Sequence, residues 1–114
     1  MDFELEARWR KTLKKLEKRF GGGMDLQAVL FLIGLQELKV KPKKLTKDQK
    51  LDVMHVAVCT LLVPYGYYEF EGDDTEGWPH FKQLKELPSL SPGEQDRLMK
   101  EAIFDYFGES LIED

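Results

Sequence analysis

The stretch "YYEFEGDDTEGWPHF", residues 67–81, decides whether this chain is helix throughout or helix with an inserted sheet. It holds five aromatics, five acids, two glycines, a proline and a histidine in fifteen positions. "DTEG" at 74–77 suits a four-residue hairpin loop, a turn closed by a glycine with positive φ. Pairing Asp73 with Trp78 across that loop sets the remaining partners by counting. Gly72 then meets Pro79, Glu71 meets His80, Phe70 meets Phe81, Glu69 meets Lys82 and Tyr68 meets Gln83. One side carries the Phe70–Phe81 pair with Tyr68 nearby. The other carries Glu69–Lys82 and Glu71–His80. Aromatic pairs and opposite charges are the cross-strand combinations that stabilise, by roughly 0.2–1 kcal/mol each. A three-residue loop would set Phe70 beside Lys82 and Glu71 beside Phe81. The spacing therefore predicts a β-hairpin over about 67–82, with its aromatic side docked on helices because a lone hairpin is marginal in water. Tyr67 and Trp78 fall on the charged side and are expected to stay outside.

Helical signals flank the hairpin on both sides. Leu5, Trp9, Leu13, Leu16 and Phe20 follow steps of 4, 4, 3 and 4, one narrow apolar stripe of a helix over 2–20. Asp2 suits its cap, Arg8, Arg10, Lys11, Lys14, Lys15, Lys18 and Arg19 fill its other faces, and Gly21 supplies a stop. A second helix is expected over 25–39, apolar on nearly all sides, with Asp25 as cap and Gly34 marking close packing. "KVKPKKL" at 39–45 is a basic linker. "TKDQ" at 46–49 is a capping box opening a third helix to Val63, and "SPGE" at 91–94 is another opening the fourth. Leu98, Ala102, Ile103, Tyr106 and Phe107 form the fourth helix's expected inner face. Gly108 ends it, and "ESLIED" is a short acidic tail. The predicted fold is mostly α: a compact four-helix single domain over 1–114, with one β-hairpin inserted between helices three and four.

Bulk properties narrow the function. The apolar fraction is 42% and the charged fraction 33%. The longest apolar run, "AVLFLIGL" at 28–35, falls short of the roughly 20 residues that span a bilayer. The amino end "MDFELEARWR" has acids where a secretory signal has bases. A single cysteine, Cys59, forms no internal disulfide and fits a reducing compartment, most simply the cytoplasm. Residues 1–50 hold 13 Lys/Arg against 7 Asp/Glu, whereas residues 51–114 hold 4 against 14. These opposite balances suit halves that pack together, or against another copy.

Four chemical readings can be weighed against plainer ones. Asp52, His55 and Cys59 share a face of the third helix at spacings of 3 and 4. His55 and Cys59 are weak metal candidates, since zinc takes three or four ligands and no second His/Cys pair exists. A Cys–His dyad needs an open cleft and a reactive thiolate, which an apolar setting disfavours. "GDDTEG" lacks the spacing of a calcium loop. "GGGMD" follows no strand and lacks the Lys-Ser/Thr of a P-loop. No cofactor is expected, and the balance leans away from an enzyme. The basic first half could contact phosphates, but nothing supplies base readout, so nucleic acid is the alternative rather than the favoured partner. The favoured partner is protein, self or other. Tyr67 and Trp78 act as anchors, flanked by Glu69, Glu71 and His80.

Overall fold

The structure, a computed structural model, describes residues 3–108. It contains α1 (Phe3–Phe20), α2 (Leu26–Glu37), α3 (Lys47–Leu62), β1 (Tyr68–Asp73), β2 (Pro79–Gln83) and α4 (Pro92–Phe107). The protein is mostly α, with a two-stranded antiparallel hairpin between the third and fourth helices. Among the described residues no helix is long and apolar enough to cross a membrane. The expected cap at Asp2 and the tail "ESLIED" lie outside the described residues.

The chain forms two compact units. One joins residues up to Leu26 with those from Ser89 onward; the other spans Gln27–Pro88. In the first, α1 pairs with α4 through the Trp9 and Phe104 rings, whose centroids lie 6.2 Å apart. The Arg8 guanidinium sits 4.2 Å from the Phe104 centroid, a cation–π contact. Trp9 and Leu16 of the predicted stripe are buried, but Thr12 is buried as well and Phe20 is 52% exposed. Thr12 tolerates burial because its hydroxyl donates to the Arg8 carbonyl at 2.9 Å. Phe104 and Lys100 are also buried, although neither belongs to the expected inner face of α4. Lys100 is held by Glu6 at 2.9 Å and Asp96 at 2.8 Å, which compensates its removal from water.

In the second unit, α2 and α3 meet where Gly34 faces Val53. A Cβ on Gly34 would fall 2.0 Å from the Val53 carbonyl oxygen, so only hydrogen fits there. Val29, Ile33, Val53, Ala57 and Leu62 are wholly buried, at 0% exposure. Leu51 is 62% exposed in the second turn of α3. Both predicted capping boxes form. Thr46 accepts from the Gln49 amide at 3.1 Å, and Ser91 from the Glu94 amide at 3.2 Å, with the reciprocal side-chain bonds also present.

The hairpin matches the predicted pairing only partway. Tyr68 opposes Gln83, Glu69 opposes Lys82 and Phe70 opposes Phe81. Beyond Phe70 the register shifts by one: Gly72 opposes His80 and Asp73 opposes Pro79. Glu71 is the extra residue of a β-bulge, so the expected Glu71–His80 pair does not form. Gly72 accommodates the bulge with φ +116°. The cause lies in the turn. Asp74, not Asp73, meets Trp78, donating its amide to the Trp78 carbonyl at 2.9 Å. The side-chain facing also differs from expectation. Phe70 remains 51% exposed beside Phe81, at 5.7 Å between centroids, while Tyr67 and Trp78 are half-buried rather than outside.

Candidate site in the groove between the third helix and the hairpin

Within the Gln27–Pro88 unit, α3 and the hairpin enclose a groove of about 390 Å³. Helix periodicity brings Gln49, Asp52, Val56 and Cys59 to it from α3, together with His55. The turn and β2 supply Asp74, Glu76, Trp78, His80 and Phe81. Both histidines, the single cysteine and the half-buried indole thus meet in one place, although they come from separate stretches of sequence.

Asp74 organises the hairpin side. Its Oδ1 accepts from the Glu76 amide at 2.9 Å and the Trp78 amide at 3.0 Å. Its Oδ2 lies 2.8 Å from His80 Nε2. These bonds, that from His80 foremost, hold the Asp74 carboxyl below its ordinary 3.8. An aspartate at the head of a turn bonding amides two and four residues on is a local device, so the spacing of "DTEGWPH" contained the signal. The segment before α3 also braces the turn, with the Lys39 amide donating to the Gly77 carbonyl at 2.9 Å.

On the helix side, Cys59 Sγ lies 3.5 Å from His55 Nε2. Cys59 is 1% exposed, and burial pushes its thiol up to about 11. A thiol so placed is almost entirely protonated near neutrality and makes a poor nucleophile. His55, by contrast, is exposed and packs edge-on to the Tyr68 ring at 6.5 Å. Among the described residues no group of three His, Cys, Asp or Glu side chains could hold a metal ion.

The residues expected to bind a partner are divided by this geometry. Trp78 and His80 line the groove. Tyr67 does not; the Lys85 ammonium covers its ring at 4.7 Å. Glu69 is exposed opposite Lys82, and Glu71 is exposed in the bulge. Asp52 and Glu76, which do line the groove, have no side-chain hydrogen bond or ion pair among the described residues. The sequence sets Glu76 within the hairpin turn and the "GDDTEG" stretch, whereas its place in the groove lining is a matter of tertiary placement. Phe70 belongs to a second groove of about 330 Å³, shared with Pro64 and Val63.

No protein-family model, no curated protein and no solved structure matches this chain.

Proposed function

We propose that this protein is a non-enzymatic interaction module, and that the groove between α3 and the hairpin is the surface it offers to a partner protein. The observation that carries this reading is the half-buried Trp78 set beside Asp52 and Glu76, two carboxylates without side-chain partners. Aromatic anchors in partly desolvated pockets dominate binding energy at protein interfaces. The neighbouring thiol, held protonated by burial, lacks the thiolate that covalent catalysis requires. The partner is another protein or a second copy of this chain. A free buried thiol suits a reducing compartment, and we place the protein in the cytoplasm on that ground.

The test compares wild type with Trp78→Ala, checked for folding by circular dichroism. Light scattering across a concentration series reports self-association, and affinity capture reports a foreign partner. We expect the variant to lose a complex that the wild type forms. A wild type that is monomeric throughout and retains the same proteins as the variant would overturn the reading.

A second reading rests on α1. Arg10, Lys11, Lys14 and Lys18 are exposed, and their side chains have no hydrogen bond or ion pair among the described residues. Such a face could engage phosphates, with retention on a polyanionic resin that weakens steeply as salt rises.

A further inference from the structure

We infer that the groove takes a cationic side chain, the guanidinium of an arginine in a basic segment of the partner protein, between the Trp78 indole and the carboxylates of Asp52 and Glu76. The inference rests on the interaction reading above and names the chemistry of its occupant.

Three observations converge on it. The groove lining contains three carboxylates, Asp52, Asp74 and Glu76, and neither lysine nor arginine. Asp74 is committed to His80 and to two turn amides, but Asp52 and Glu76 are not committed to any side chain. The same lining holds apolar side chains: Val56 and Pro79 are buried, and Trp78 and Phe81 are half-buried. A groove lined by exposed carboxylates and less exposed aromatic rings complements a group that is positive, flat and weakly hydrated. Guanidinium meets all three conditions, since it stacks on aromatic faces and donates a forked pair of N–H bonds to a carboxylate. An ammonium is a more strongly hydrated point charge and would gain less from the indole. The volume of about 390 Å³ is ample for one such side chain.

The same residues argue against other occupants. An anionic segment would meet the unpaired carboxylates. A purely apolar segment would bury Asp52 and Glu76 without compensation, a costly arrangement. A metal ion lacks a ligand cluster here.

The experiment is a titration of isotope-labelled protein followed by amide and indole N–H shifts. The probes are a short basic peptide with one central arginine and the same peptide with citrulline in that place, which keeps the shape and removes the charge. We expect shifts centred on Trp78, Glu76 and Asp52 with the arginine peptide, weakened by added salt. Citrulline should cost about fivefold or more in affinity, as should Asp52→Asn combined with Glu76→Gln. Both substituted sites are exposed, so the double variant keeps its fold, and its spectrum verifies this. Equal binding of the citrulline peptide would overturn the cation while leaving the groove as an interaction surface. Shifts elsewhere with an unmoved groove would overturn the assignment, as would the absence of any shift. In the last case the light-scattering and capture comparison still decides the interaction reading separately.

Discussion

Two charged side chains illustrate how much depends on a single residue's surroundings. Asp74 ionises more readily in the fold than in the unfolded chain, because His80 and the Trp78 and Glu76 amides favour its carboxylate. Its contribution to stability is therefore present above the ordinary 3.8 and is lost as pH falls through the lower folded value. In an acid titration read from the Trp78 indole N–H, Asp74→Asn should remove that part of the hairpin's acid transition. An unchanged acid limb would mean the turn is held by something else. Lys100 behaves in the opposite sense. Burial alone would lower its pKa, but the hydrogen bonds it donates to Asp96 and Glu6 outweigh burial and hold it above 10.5. Its stabilisation is complete below that value and is lost as pH rises past the folded one. Lys100→Ala should cost about 1–3 kcal/mol in urea denaturation. Lys100→Met should cost less, because Glu6 and Asp96 remain partly exposed and regain water.

Elements succeed or fail here on local chemistry, except where two of them touch. The capping boxes at Thr46 and Ser91 and the helical periods were legible because each depends on neighbours within four residues. Gly34 was legible for the same reason, as a glycine interrupting an apolar helix. Its contact was not, since Val53 lies on another helix. Gly34→Ala would ordinarily gain about 1 kcal/mol of helix propensity. With its Cβ 2.0 Å from the Val53 oxygen, it should instead destabilise by about 2 kcal/mol or more, seen as a lower melting temperature. Gly72→Ala provides a contrast. No atom lies within 4 Å of the added carbon, so only the backbone conformation resists, at about 1–2 kcal/mol. A Gly72 variant more damaging than the Gly34 variant would invert this account. The bulge beside Gly72 escaped the pairing argument. Counting partners assumes unbroken alternation, whereas Asp74 moves the turn by one residue.

For the molecule as a whole, Cys59 reports whether the Gln27–Pro88 unit is closed. Its thiol is 1% exposed and pushed to about 11. Labelling under native conditions should run on the order of 100-fold or more below a free thiol, and should accelerate with mild denaturant. Fast labelling that denaturant leaves unchanged would place the sulfur at the surface. Helix number, the capping boxes at Thr46 and Ser91, the hairpin and its Phe70–Phe81 pair follow from the order of residues, because periods, caps and turns are settled between near neighbours. The half-burial of Trp78 and the burial of Lys100 against Glu6 required the folded chain. So did the meeting of Asp52, His55 and Cys59 with Asp74 and His80. Each of these depends on side chains far apart along the backbone, and no pattern confined to a short window encodes which distant surface a residue will face.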